Sequence, residues 1–289
     1  MNTFDGKVAA ITGAGSGIGR ALAIALAQRG AALALSDVDA AGLQETVALL
    51  PAGARRCTTA IVDVANRDAV FAWAEACRTE HGQVNLLFNN AGVALAAMAE
   101  TARLADVEWL MNINFWGVVH GTQAFLPHLR SSGDGHIVNI SSAFGLLAMP
   151  TQSAYNAAKF AVRGYTEALR MELELQRAPV SATCVMPGGI ATRIVGKQRI
   201  APDVEGFSGL DLASFRARGE HMIQRTPPPE AARQILAGVQ RNARRVLVGR
   251  DARMADLLVR LLGPAYQALV IGGARQARRR AEQRRQAQA

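Results

Sequence analysis

Short apolar runs alternate with amphipathic stretches along most of this chain. Lys7–Thr12, Ala32–Ser36, Cys57–Val62 and Val84–Asn89 are brief and nearly continuously apolar, as strands are when both faces of their sheet are covered. Gly17–Gln28, Ala40–Leu50 and Arg67–His81 lie between or after them with helical spacing. This rhythm predicts an α/β protein: a doubly wound parallel sheet with right-handed crossovers and helices on both faces. Two longer helices, Asp106–Leu129 and Ser153–Leu175, flank a strand at His136–Ser141, and another strand, Val180–Met186, runs into Pro187-Gly188-Gly189. Residues 190–228 break the rhythm with Gly, Pro and charges and close on Pro227-Pro228-Pro229. A helix at Glu230–Arg241 and a strand at Arg245–Val248 restore it, bringing the sheet to about seven strands. With no internal repeat and no linker, residues 1–250 read as one domain, and 251–289 as a C-terminal extension.

Composition narrows the class without naming a chemistry. Half of the 289 residues are hydrophobic and 19% are charged, a globular balance. Three widely spaced cysteines, Cys57, Cys77 and Cys184, form no CxxC pair, which argues against a disulfide framework or a zinc site. No basic and apolar leader opens the sequence, so cytoplasmic location is the expectation. The net charge of +9 is not spread evenly. Residues 1–240 balance 20 basic against 20 acidic side chains, whereas 241–289 hold 12 Arg against Asp251, Asp256 and Glu282. Any partner that seeks positive charge therefore meets the C-terminal end.

Thr12-Gly13-Ala14-Gly15-Ser16-Gly17-Ile18-Gly19 joins the first strand to the first helix. Glycines there let the backbone turn and approach a pyrophosphate, which the helix N-terminus attracts. The spacing is GxxxGxG rather than GxGxxG, with Ile18 where the last glycine of the second pattern would stand. Asp37 ends the second strand; it either accepts from an adenosine ribose 2′-hydroxyl or caps the next helix, a task Asp39 could equally take. With no Arg or Lys at positions 16 or 38, the carboxylate favours NAD over NADP. Asp63, followed by Val64, either meets the adenine amino group or caps a helix. Asn89-Asn90-Ala91-Gly92 puts small and polar residues outside the carboxyl end of the fourth strand, where ligands of open α/β sheets lie.

Tyr155 and Lys159 stand four residues apart on one helix face. An ammonium at that range eases loss of the phenol proton, and an upstream serine, Ser141 or Ser142, is positioned to hold the oxygen that exchanges it. With a hydride acceptor alongside, these groups are sufficient to oxidise an alcohol or reduce a ketone.

Together these segments resemble the short-chain dehydrogenase/reductase family. The matching elements are TGAGSGIG at 12–19, Asp37, Asp63, NNAG at 89–92, Asn114 in NFWG, Ser142, Tyr155-x-x-x-Lys159 and PGGIAT at 187–192, in the family's order. The resemblance implies a Rossmann-like fold and an NAD-dependent oxidoreductase interconverting a secondary alcohol and a ketone. In it Tyr155 is the general acid/base, and Lys159 lowers its pKa and bonds the nicotinamide ribose. Ser142 orients the substrate oxygen, preferred over Ser141 because it lies 13 residues before the tyrosine. Asn114 kinks its helix and holds a water that links Lys159 to solvent. Pro187, Gly188, Ile190 and Thr192 contact the nicotinamide end, while Gly13, Gly15, Ser16, Gly17, Ile18, Gly19, Val64, Asn90, Ala91 and Gly92 complete the cofactor site. A homodimer or homotetramer is also implied, with helices 106–129 and 153–175 facing symmetry mates.

The same resemblance makes 193–226 the loop that closes over substrate. Its apolar residues, Ile194, Val195, Ile200, Phe207, Leu210, Leu212, Phe215 and Met222, together with Ala94–Met98 and Phe144–Met149, favour a hydrophobic substrate. Arg193, Lys197 and Arg199 either meet an acidic group or are solvated. In the extension, Met254–Leu262 is an amphipathic helix, Gly263-Pro264 breaks it, Ala265–Ile271 is apolar, and Arg275, Arg278, Arg279, Arg280, Arg284 and Arg285 follow. That pattern suits either peripheral contact with an anionic membrane or docking on the body; nucleic acid is not expected, because no recognition motif accompanies the arginines. The rival readings are a non-catalytic NAD-binding regulator, a membrane-associated scaffold and an NADPH-preferring carbonyl reductase.

Overall fold

A computed structural model describes residues 3–288. The side chains at 280–282 and 284–288, and with them Arg280, Arg284 and Arg285, lie outside the described residues. The elements in order are β1 Val8–Thr12, α1 Gly17–Ala27, β2 Ala32–Asp37, α2 Ala40–Ala48, β3 Cys57–Ile61, α3 Arg67–His81, β4 Leu86–Asn89 and β5 Leu95–Ala96. Then come α4 Leu104–Met111, a π-helical turn Asn112–Trp116, α5 Gly117–Ser131, β6 Gly135–Ile140, α6 Ser153–Leu175, β7 Val180–Pro187 and β8 Arg199–Ile200. The chain ends with α7 Val204–Ser208, α8 Leu212–Ile223, α9 Pro228–Gln240, β9 Arg245–Val248, α10 Arg250–Leu262, a 3-10 turn Gly263–Ala265 and α11 Tyr266–Gln288.

Seven parallel strands form one sheet in the order β3-β2-β1-β4-β6-β7-β9. Successive strand residues point to opposite faces, and the core divides accordingly. Ile11, Leu35 and Phe88 pack with Leu22 and Leu26 of α1 and Ile235 and Leu236 of α9. Their neighbours Ala10, Ala34 and Leu87 pack on the other side with Val70 and Trp73 of α3, Phe125 of α5 and Leu169 of α6. Trp73 meets Phe125 edge to face with ring centroids 5.0 Å apart. This two-sided burial explains why the strands read as unbroken apolar runs.

The structure departs from the sequence expectation in three places. The expected helix over 106–129 is interrupted by the π-helical turn that carries Asn114. Two-residue strands β5 and β8 pair in a small separate sheet that no local pattern announced, and α7 and α8 occupy the irregular stretch after 190. Beyond Gly263-Pro264 the chain resumes as the single helix α11.

Candidate active site

The strand order reverses between β1 and β4, which opens a crevice beyond the carboxyl ends of the strands. A cleft of about 660 Å³ fills it, a volume suited to a small molecule with its cofactor. Gly13, Ser16, Gly17, Ile18, Asp37, Asp63, Val64, Asn90, Ala91 and Gly92 line one part of it. Ser142, Tyr155, Lys159, Pro187, Gly188, Ile190 and Thr192 line the rest. Gly15, Gly19 and Asn114 stand behind the wall.

The glycine loop is held by close approach. Gly13 has φ +66°, and a Cβ there would lie 2.8 Å from the Cα of Ala91; at Gly17, φ is +54° and a Cβ would lie 2.9 Å from Cγ2 of Thr192. Asn90 fastens the loop, its amide donating to the carbonyls of Thr12 and Gly13 at 2.9 and 3.1 Å. Its side chain is thus occupied in shaping the cradle. Helix α1 opens onto the cleft with no side-chain cap and no acidic residue in its first turn, so its free N–H groups suit an anion.

The two strand-end carboxylates are not helix caps. Asp39 caps α2 by accepting from the N–H of Gly42 at 3.0 Å, and Asn66 caps α3 by accepting from that of Ala69 at 3.1 Å. Asp37 accepts from Gly15 N at 2.8 Å and from Asp39 N at 3.0 Å, which fixes its carboxylate beside the loop. Asp63 accepts from Ala65 N at 2.9 Å at the far end of the cleft. A backbone cradle, an uncapped helix start and a fixed carboxylate are the features a dinucleotide needs, so the residues present fit one.

At the opposite end, β6 and α6 bring the titrating groups together. Ser141 turns away, its hydroxyl donating to the carbonyl of Lys159 at 2.7 Å. The Ser142 hydroxyl accepts from Phe144 N at 3.1 Å, and Ser142 lines the cleft together with Tyr155. Lys159, 4% exposed, donates from Nζ to the carbonyl of Ile140 at 3.1 Å and lies 5.6 Å from the centroid of the Tyr155 ring. Burial raises the Tyr155 phenol above its ordinary value, opposed by the neighbouring Ser142 hydroxyl. Burial also pushes the Lys159 ammonium down to about 8. Desolvation of both groups therefore outweighs the pull of lysine on tyrosine that the sequence suggested.

Asn114 is fully buried and pairs both ways with one residue: Val93 N donates to its Oδ1 at 2.8 Å, and its Nδ2 donates to Val93 O at 2.9 Å. The widened π turn that carries it is a common local form at functional positions. The site of a Cβ on Gly92 falls 3.2 Å from Asn114 Oδ1 and 3.6 Å from Lys159 Nζ, so only a glycine separates asparagine from lysine.

Not all the expected substrate residues arrive. Ile194, Val195, Met222, Ala94, Phe144 and Leu147 line the cleft, whereas Ile200, Phe207, Leu210, Leu212 and Phe215 do not. Arg199 bonds Asp106 at 2.7 Å and stacks 3.7 Å from the Trp109 ring centroid, so it pins β8 rather than facing a ligand. Lys197 reaches across the cleft to within 3.5 Å of Asp39. Sequence reasoning missed Asn156, which accepts from Met149 N and donates to the carbonyls of Phe144 and Leu147 at 2.8–3.1 Å, ordering that wall. It also missed Asp251, Met254 and Ala255 of α10 as cleft residues. A polar residue on an inward helix position would have signalled Asn156; no local feature signalled α10.

A family model described as short chain dehydrogenase matches residues 7–203. A putative oxidoreductase, SadH, of Mycobacterium tuberculosis is 49% identical over 273 residues, spanning 94% of this chain and 97% of that one. Among solved structures, a short chain dehydrogenase/reductase from Burkholderia phymatum in complex with NAD is 32% identical with TM-score 0.81, covering 93% of this chain and 97% of its own. Levodione reductase is 29% identical with TM-score 0.75, covering 87% and 98%.

Proposed function

Since the chain belongs to the short-chain dehydrogenase family, we propose that it is an NAD-dependent oxidoreductase interconverting a hydrophobic secondary alcohol and its ketone. The observation that carries this reading is the convergence of Ser142, Tyr155 and buried Lys159 on one cleft wall, with the lysine Nζ 5.6 Å from the tyrosine ring centroid. The dinucleotide supplies the hydride acceptor or donor. Ser142 holds the substrate oxygen, and Tyr155 takes its proton during oxidation or returns it during reduction. Lys159 steadies the phenolate with its charge, and Asn114 holds the adjoining segment at Val93 so that the lysine keeps its place. Asp37 accepts from the adenosine ribose and repels a 2′-phosphate, which sets NAD above NADP. Ile190, Thr192 and the Pro187-Gly188 turn position the nicotinamide end, and Asp63 and Val64 the adenine end. The apolar walls, and the likeness to an NAD-bound short chain dehydrogenase/reductase and to levodione reductase, support this assignment over a non-catalytic regulator.

The test is a panel of secondary alcohols and ketones of rising chain length, run separately with NAD and NADP. Expected are turnover that improves with apolar length and a preference for NAD. Tyr155→Phe is expected to lose at least about a hundredfold in kcat, the usual scale of acid–base catalysis, while keeping NAD affinity. Full turnover by that variant would sink the assignment. We also place the enzyme in the cytoplasm as a homo-oligomer: Trp116, Phe160, Met171 and Leu175 expose apolar surface on and beside α5 and α6, and sedimentation of the purified protein reads the oligomeric state. Of its free cysteines, Cys77 and Cys184 are buried with thiols pushed up to about 12, outside the proposed chemistry.

A further inference from the structure

Helices α10 and α11 turn their apolar side chains outward. Met254, Leu257 and Leu261 recur on one stripe of α10 and are 70, 56 and 74% exposed; Leu269 and Ile271 of α11 are also exposed. Of the described residues in these two helices, only Ala252 and Tyr266 are buried. An amphipathic helix normally buries such a stripe. This one is left open to solvent.

Charge says what covers it. Helical spacing sets Arg253 and Arg260 along one edge of the stripe. The nearby carboxylates face the domain: Asp251 accepts from Gly189 N at 2.6 Å through one oxygen, its other oxygen being buried, and Asp256 pairs with Arg245 and Arg260 at 3.2 and 2.7 Å. Arg250, Arg253 and Arg275 are exposed with no carboxylate partner among the described residues. Two copies of this surface face to face would bring unneutralised arginines together. An anionic bilayer surface satisfies both halves, taking leucines into the acyl boundary and arginines at the headgroups.

The way the helices are attached fixes their orientation. The segment Arg250–Arg279 is long and apolar enough to cross a membrane by length and composition. It is, however, tied to the domain at several points: Asp251 to the turn after β7, Asp256 to Arg245 of β9, and the Tyr266 hydroxyl as acceptor from Ala148 N at 2.8 Å. A helix held in this way lies on a surface rather than spanning it. Its position also matters, because Met254 belongs both to the outward stripe and to the cleft wall. The lip of the cleft is thus an edge of the apolar face.

We propose that α10 and α11 seat the protein on an anionic bilayer so that the cleft opens at the lipid boundary, and that its substrate is a lipophilic secondary alcohol or ketone delivered from the membrane. The substrate half rests on the oxidoreductase reading; the docking half stands without it. The test uses the full chain and vesicles of phosphatidylcholine alone or mixed with phosphatidylglycerol. The wild type is expected to float with the mixed vesicles, to stay behind with phosphatidylcholine, and to be released by added salt. Leu257→Glu/Leu261→Glu, whose changes are on exposed residues outside the cleft, is expected to bind at least about tenfold more weakly. It should keep wild-type turnover of a short water-soluble secondary alcohol and turn over a long-chain one dissolved in the vesicles about tenfold more slowly. A wild type that does not float, a double variant that floats equally, or self-association that the variant abolishes would overturn the docking. Flotation with equal turnover of the vesicle substrate by both proteins would overturn the delivery. Absence of turnover even on soluble substrates would strike the oxidoreductase reading and leave the flotation result standing.

Discussion

Lys159 sits where a lysine is costly. It is 4% exposed and its ammonium is pushed down to about 8 by burial, from 10.5 in open chain. Below pH 8 the folded protein holds a charge that the unfolded chain solvates freely. Between 8 and 10.5 the unfolded chain binds more protons than the folded one, so stability rises with pH through that window. A displacement of this size corresponds to roughly 3 kcal/mol, part of it returned by the bond to Ile140. Lys159→Met is therefore expected to unfold at higher denaturant concentration than wild type at pH 7, by roughly 1–3 kcal/mol, while losing activity. The gap should narrow from pH 8 upward and close above 10.5, and paired urea titrations at several pH values read it directly. A gap independent of pH would place its origin in packing. That Tyr155, Lys159 and Ser142 would meet on one cleft wall was legible because helix spacing and the strand end are local properties. The balance of their pKa values was not, since desolvation depends on what the rest of the chain lays over them.

Elements show the same division between local and non-local causes. All seven strands of the main sheet and most helices stand where the apolar rhythm put them, because two-sided burial writes itself into consecutive residues. The π-helical turn at Asn112–Trp116 did not show as a break in that rhythm. One extra residue in a turn leaves the helical period nearly intact; the local sign was a polar residue amid Ile113, Phe115 and Trp116, and only the family resemblance led to the expectation of a kink there. The short strands β5 and β8 were invisible for another reason: two residues have no periodicity, and their pairing joins positions about a hundred residues apart. Within that turn the amide of Asn114 satisfies both backbone groups of Val93. Asn114→Ala would leave that buried N–H and C=O without partners. A loss of about 1–3 kcal/mol in urea unfolding is expected, with kcat reduced under conditions where the variant is fully folded. Unchanged kcat in a destabilised protein would confine Asn114 to a structural part.

Taken whole, the molecule joins a sheet whose crevice holds the candidate site to a helix pair that closes one side of it. The connection is made at three points, Asp251 on the Gly189 amide, Tyr266 on the Ala148 amide and Asp256 on Arg245 of β9. The second reaches the 144–149 wall, whose other supports are the three hydrogen bonds of Asn156. Tyr266→Phe keeps the buried ring and removes only the acceptor, so a stability cost of about 1 kcal/mol is expected. If the helix pair shapes the substrate wall, KM for a bulky hydrophobic ketone should rise severalfold. NAD affinity, which the proposed function assigns to the glycine loop and Asp37, should stay where it was. Loss of NAD affinity would mean the change had spread through the sheet, and an unchanged KM would mean Asn156 alone holds the wall. That split between substrate and cofactor follows from topology. The glycine loop and Asp37 belong to the first two strands of the sheet, whereas Tyr266 hydrogen-bonds Ala148 in the segment between β6 and α6.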